Sequence, residues 1–228
     1  MIILNKEEEA WILETHFDAA IPIHVEDFCG KVQVFAFPSV EKCVERYLAE
    51  YKDDLFSDAA LDALRRGCRD FCRANGYHED KYPKNWGYNL ILEELPQKFE
   101  PRDAICKRLL SARSVENQTT FDLKATLDSG RVVFAVMAEG KVVSLAVTAT
   151  SLAEAEKWLE ISVETAPAYR GRGYAKAAIG ALSAFLVEKG HTVLFKCHHG
   201  NLASRSAALA CGFSDAGKFY YYVLRKDT

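Results

Sequence analysis

Apolar positions recur at helical spacing in two stretches of the first hundred residues. Val40, Cys43, Val44, Tyr47 and Leu48 share one face of a helix predicted over Ser39–Tyr51, with Ser39 as its N-cap. Leu61, Leu64, Cys68, Phe71 and Cys72 do the same for a helix from Asp58 to Ala74, which Gly76 stops. Between and after them the period changes to two. Lys31–Phe37 alternates as a strand, and Trp86–Leu92 reads as another.

The run Leu95-Pro96-Gln97-Lys98-Phe99-Glu100-Pro101 punctuates the chain and divides residues 1–100 from residues 101–228. Asp103–Ala112 is then predicted as a helix. Arg131–Ala138 and Lys141–Thr150 form a hairpin signal across Glu139-Gly140, a turn that needs positive φ at Gly140. Trp158–Thr165 is a third strand, and a helix follows from about Gly173 to Lys189. Its apolar stripe is Tyr174, Ala177, Ala178, Ala181, Leu182, Phe185 and Leu186, and Gly190 ends it. Thr192–Cys197 is a short buried-type strand. Asn201 N-caps a helix that ends before Gly212, and Phe213–Phe219 and Tyr220–Arg225 close the chain as two strands. The order β-β-β-α-β-α-β-β predicts an α/β (α+β) fold with a mixed sheet flanked by helices, preceded by an N-terminal α/β extension.

Composition narrows the classes without choosing among them. The 228 residues are 49% hydrophobic and 27% charged, with a formal net charge of -3, which is ordinary for a globular protein and gives no reason to expect nucleic acid. No run of about eighteen apolar residues predicts a membrane-spanning helix. The opening Met-Ile-Ile-Leu-Asn-Lys-Glu-Glu-Glu lacks the basic-then-apolar order of a secretory signal, so a cytoplasmic location is expected. The seven cysteines are odd in number and widely spaced, which suits reduced thiols. Cys68-x3-Cys72 lies on one helical face with no second pair to complete a zinc set. It reads as packing, and no metal is expected.

The basic residues cluster once, at Arg170, Arg172 and Lys176. They sit in Glu160-Ile-Ser-Val-Glu-Thr-Ala-Pro-Ala-Tyr-Arg-Gly-Arg-Gly-Tyr-Ala175, where a strand ends at a proline and an Arg/Gly turn opens a long helix. Unpaired backbone N–H groups and the positive end of a helix dipole meet there, a site for phosphate or pyrophosphate. Three phosphate-binding patterns compete. G-x-x-x-x-G-K-[ST] is absent. G-x-G-x-x-G fails because Lys176 stands where a third small residue belongs, and the next strand ends in Cys197-His198-His199 with no carboxylate for a ribose. The third is R/Q-x-x-G-x-G/A, which Arg170-Gly-Arg-Gly-Tyr-Ala175 matches. Downstream come Asn201-x-x-Ser204 and Leu209-Ala-Cys-Gly-Phe213.

Those two motifs in that order resemble the GNAT N-acetyltransferase superfamily over roughly residues 100–228. The wording is most similar to that of bacterial members, some of which acetylate amine-bearing antibiotics. The resemblance implies acetyl-CoA as the cofactor, with its pyrophosphate on the backbone of Gly171, Arg172, Gly173, Tyr174 and Ala175 and on the Arg170 and Arg172 side chains. It places the pantetheine arm along Ile161, Val163 and Thr165, with Asn201 and Ser204 beside the arm or the cofactor nearby. A backbone N–H of Val163 or Thr165 would hold the thioester oxygen.

Transfer to an amine needs a neutral nucleophile and a proton for the departing thiolate. Glu160 and Glu164, on the cofactor strand, are the candidate bases. Family members often carry a tyrosine four residues before Gly-Phe as the acid, and this chain has Ala208 there. Ser204 or one of Tyr220, Tyr221 and Tyr222 is the candidate replacement, and strand alternation separates Tyr221 from its neighbours. Asn201 also reads as a simple helix cap, and His198 and His199 as loop residues. The expected activity is transfer of an acetyl group to a small-molecule amine by direct attack in a ternary complex, with residues 1–100 walling the acceptor site. A homodimer is one assembly open to the chain. A non-catalytic acyl-CoA-binding module and a protein or peptide acetyltransferase are the alternative readings.

Overall fold

The computed structural model describes residues 1–15, 19–79, 86–113, 115–155 and 157–226. Two compact units emerge, Met1–Tyr88 with Ala216–Thr228, and Asn89–Asp215. Among the described residues, no helix is long and apolar enough to cross a membrane.

The first unit contains β1 (Ile2–Leu4), α1 (Lys6–Thr15), β2 (Ala19–Phe28), β3 (Lys31–Ala36), α2 (Glu41–Glu50), α3 (Asp58–Gly67), α4 (Arg69–Asn75) and β4 (Tyr77–Glu79). The chain leaves this unit within β5 (Trp86–Leu92) and returns within β12 (Ser214–Lys226). Its sheet runs β1-β3-β2-β12, with β4 also on β12. Alternation sends Ile23, Val25, Val34, Ala36, Tyr220, Tyr222 and Leu224 into a core with Val44, Tyr47, Leu61 and Leu64 of the helices. Each Ile, Val and Leu among them contributes roughly 1.5–3 kcal/mol by burial.

Three expectations change in this unit. Ser39 does not cap α2: it lies in a 3-10 turn over Pro38–Val40, and the helix starts at Glu41 without a side-chain cap. The helix predicted over Asp58–Ala74 is two, because Cys68 ends α3 and begins α4. The two terminal strands are one, β12, paired antiparallel to β2 from Phe219↔Glu26 to Arg225↔Ala19. Gly217, at φ 126, lets β12 pass against the Asp27 backbone where any side chain would collide.

The second unit contains β6 (Ile105–Leu109), β7 (Glu116–Asn117), α5 (Leu123–Asp128), β8 (Val133–Ala138), β9 (Lys141–Thr148), β10 (Trp158–Thr165), α6 (Tyr174–Glu188), β11 (Thr192–His198) and α7 (Leu202–Ala210). Its sheet runs β11-β10-β9-β8-β6 and is mixed, with β10 parallel to β11 and antiparallel to β9. The β8–β9 turn has positive φ at both Glu139 and Gly140, as a tight hairpin requires. Helix α6 packs across β8 to β11. The other sheet face holds Leu123 of α5 against Leu109, Val133, Ala135, Val142, Leu145 and Val147. Asp103–Ala112 is not a helix. Its apolar spacing suits one, but β8 has an edge to fill and Ile105–Leu109 pairs with it, leaving Ile105 69% exposed.

In the first unit Arg65 donates from Nε to Glu79 at 3.1 Å, and the Tyr222 hydroxyl donates to the same carboxylate at 3.0 Å. Burial pushes the Glu79 carboxyl up, but the bonds from Arg65 and Tyr222 outweigh it and hold it below its ordinary 4.5. A depressed folded-state pKa contributes stability that is present above 4.5 and lost as pH falls through the lower folded value. Thermal melts of wild type should therefore lose stability on acidification below that point. Glu79→Gln should start less stable at neutral pH and lose less.

Candidate functional site

The site begins where a strand pairing stops. On one side of β10 the ladder with β9 runs from Ile161↔Thr148 to Thr165↔Ser144. On the other, the ladder with β11 ends at Ile161↔Phe195. The Ala149 N–H donates to the Glu160 carbonyl at 2.8 Å, and the Ala166 N–H to the Val143 carbonyl at 2.9 Å. Even-numbered residues of β10 therefore turn their backbone groups to β9, and Ile161, Val163 and Thr165 turn theirs the other way. Past Ile161 that side has no strand among the described residues. The Thr165 carbonyl accepts a bond from Arg170 Nε at 3.2 Å.

After Thr165 the chain makes a 3-10 turn over Pro167–Tyr169 and enters α6 through Gly171 and Gly173, at φ 77 and 80. Only glycine takes these angles without strain, and together they turn the segment so that α6 starts beside the open strand edge. The first intrahelical bond from this end is Ala177 N–H to Gly173 C=O at 3.2 Å. The N–H groups of Tyr174, Ala175 and Lys176 are thus left for an acceptor outside the helix, with the dipole favouring an anion.

These elements and α7 line a cleft of about 530 Å³. Val163, Glu164, Thr165, Arg170, Gly171, Gly173, Tyr174, Ala175, Asn201 and Ser204 all lie along it, as do Tyr169, Lys176 and Ser206. Arg172 stands with its guanidinium 5.4 Å from the Tyr169 ring, and Lys176 with its ammonium 4.9 Å from the Phe99 ring. Tyr174 is 1% exposed, and its hydroxyl is pushed up first by burial and then by Asp103. Tyr169 and Ser206 were missed by sequence reasoning. Ser206 has only its helical offset from Ala203 and Ala210 to mark it, and Tyr169 precedes the R/Q-x-x-G-x-G/A pattern without being part of it.

The candidate acid–base groups separate. Among the described residues, Glu164 is the one acidic residue in the cleft lining, and its carboxylate is held by Thr120. It accepts the Thr120 N–H at 3.0 and 3.1 Å and the Thr120 hydroxyl at 2.9 Å. Glu160 shares its face of β10 but lies outside the cleft lining, and Ile161 is 1% exposed beneath it. Asn201 caps α7, its side-chain oxygen accepting the Ser204 N–H at 3.1 Å. Ala208 is fully buried, so no phenol projects from that position. Tyr221 belongs to the first unit, where its ring stacks on His24 at 4.2 Å, while Tyr220 and Tyr222 are buried there. His198 accepts the Gly200 N–H on Nδ1 at 3.2 Å, and its ring lies 4.3 Å from that of His199.

Residues 92–214 match the family model of the acetyltransferase (GNAT) domain. The chain belongs to the GNAT family. Among solved structures it is similar to a putative GNAT-family acetyltransferase from Novosphingobium aromaticivorans, at 19% identity and TM-score 0.53, over 67% of this chain and 69% of that one. It is also similar to a GCN5-related N-acetyltransferase-like protein from Streptococcus suis, at 18% identity and TM-score 0.45, over 72% and 68% of the two chains. No curated protein matches the sequence. In GNAT terms, the mixed sheet, the opened strand pair and the glycine turn into a long helix are the frame of an acyl-transfer domain.

Asn201→Ala should cost about 1 kcal/mol in urea unfolding, the usual value of a lost N-cap, and Asn201→Asp should keep most of it. An unchanged midpoint in Asn201→Ala would show that the cap contributes nothing.

Proposed function

We propose that this GNAT protein transfers an acetyl group from acetyl-CoA to a primary amine of a small molecule, within a ternary complex. The observation that carries the reading is the open edge of β10 ending against the α6 N-terminus. Such an edge offers alternating donors and acceptors to an extended, amide-bearing arm, and the helix end offers N–H groups to a diphosphate. Coenzyme A is a ligand that needs both.

In this reading Gly171 to Ala175 hold the pyrophosphate through backbone N–H groups, aided by the guanidinium groups of Arg170 and Arg172. Val163 and Thr165 pair with the arm, and the outward Val163 N–H takes the thioester oxygen as it becomes an oxyanion. Glu164 accepts the amine proton, directly or through water. The amine nitrogen bonds to the carbonyl carbon, the C–S bond breaks, and the thiolate takes up a proton. Ser204, which lines the same cleft, is the residue we assign in place of the absent tyrosine: its hydroxyl hydrogen-bonds the departing sulfur and relays to it a proton from water, so no alkoxide is left behind. A direct attack suits Cys197, a thiol only 5% exposed.

Calorimetry should detect coenzyme A binding, and Gly171→Asp should weaken it about tenfold or more by putting an anion in the diphosphate cradle. Equal affinity in the variant would overturn this placement. Thiol release from acetyl-CoA with a panel of primary amines should accompany binding. Binding with no release would sink the transferase reading and favour a regulatory acyl-CoA module, which the apolar Ala208 position would then explain.

A further inference from the structure

Glu164 is held by a residue that no motif of the cofactor site includes. Thr120 lies between β7 and α5, and all three bonds it makes to the carboxylate, at 3.0, 3.1 and 2.9 Å, come from its own N–H and hydroxyl. Its segment is fastened around it. Asn117 accepts the Thr119 N–H at 3.0 Å and the Thr119 hydroxyl at 2.9 Å, and donates to the Phe121 carbonyl at 2.8 Å. The Gln118 N–H bonds the Val142 carbonyl at 2.9 Å, and Asp122 caps α5 through the Ala125 N–H at 3.0 Å. Glu116 and Asn117 pair in parallel with Lys141 and Val142 of β9.

Thr120 is exposed and Glu164 half-buried, so their bonds compete with water and contribute little to stability. Their effect is on freedom. A glutamate beside an open cleft otherwise samples many rotamers, and ordering it costs up to roughly 2 kcal/mol. The N–H of Thr120 reaches both carboxylate oxygens and its hydroxyl reaches one of them, which favours one orientation of Glu164 before substrate arrives.

We propose that Thr120 is a positioning residue for Glu164, and that the Asn117-pinned segment 117–122 exists to present it. The inference rests on the reading of Glu164 as the base. Thr120→Val keeps the backbone N–H and removes the hydroxyl, Thr120→Ser restores it, and Glu164→Gln removes the base. The probe is thiol release from acetyl-CoA with a fixed panel of primary aliphatic amines and amino sugars, with water alone as the control acceptor. Glu164→Gln should lose about a hundredfold in kcat, and Thr120→Val about tenfold with KM for acetyl-CoA unchanged. Thr120→Ser should recover most of kcat.

A wild-type kcat in Thr120→Val, beside an inactive Glu164→Gln, overturns the positioning role and leaves the base. A change confined to KM for acetyl-CoA, or equal losses in Thr120→Val and Thr120→Ser with lowered melting temperatures, also overturns it. Full activity in Glu164→Gln, or no thiol release in wild type, removes the base itself and this inference with it.

Discussion

Everything at the cleft depends on β10 and β11 parting after Ile161 and Phe195. A parallel pair inside a sheet is normally held along its length, because unpaired backbone groups away from water are costly. Here the ladder ends while β10 still has four residues of pairing with β9 ahead of it. The backbone that faces β9 is satisfied by the hairpin partner. The backbone that faces the gap pairs with no strand among the described residues, though Arg170 bonds the Thr165 carbonyl, and it is held straight by the other side of the same strand. The rigidity of the open edge therefore comes from β9, on the other side of the strand.

The alternation of β10 divides its labour further. Odd-numbered residues turn their N–H and C=O groups to the gap, and Ser144 bonds the Thr165 hydroxyl at 2.8 Å beneath it. Even-numbered residues turn side chains to the face of Leu145 and Val147, where α5 packs, and there Glu164 meets Thr120. One strand can thus align a chain along its edge and hold a carboxylate at its face without the two tasks competing for the same atoms. A one-residue slip in the β9–β10 register would exchange the two sets, so the site is only as secure as that register. β9 is buried on both faces from Val142 to Thr148, so what distinguishes the faces is chemistry: Ser144 and Thr148 lie on one, Leu145 and Val147 on the other.

What could be read from the sequence was local. The turn at Gly171 and Gly173, the helix that follows, the Glu139-Gly140 hairpin and the Asn201 cap each depend on residues within a few positions, and each stands in the structure. The buried face of the helix, however, takes in Ile179, Gly180 and Ser183 and leaves Ala181 and Phe185 only partly buried. Ile105–Leu109 was misread because its state is decided by Val133–Met137, far along the chain, and its own spacing points to a helix. The same limit hid β2, which pairs with both Lys31–Ala36 and the C-terminal strand. It also hid Thr120. Nothing near Thr120 in sequence marks it, since its partner lies forty-four positions on. Strand alternation separates Tyr221 from its neighbours but cannot say that its ring stacks on His24.

Ala208 stands where a GNAT tyrosine is expected, and the surroundings bear on what the α7 wall can still do. An abandoned cleft tends to fill, because large side chains gain by burying themselves in it. Here Ala203, Ser204, Ser206, Ala207 and Ala210 keep the α7 wall low, and the volume of about 530 Å³ persists. Ala208 itself is not a truncated phenol leaving a hole at the wall. Its methyl is fully buried, so a tyrosine there would have to displace the packing around it. The hydroxyl-bearing residues of the α7 wall are Ser204 and Ser206. Ser204 sits one helical turn before Ala208, on the side where Val163 and Thr165 leave their edge open.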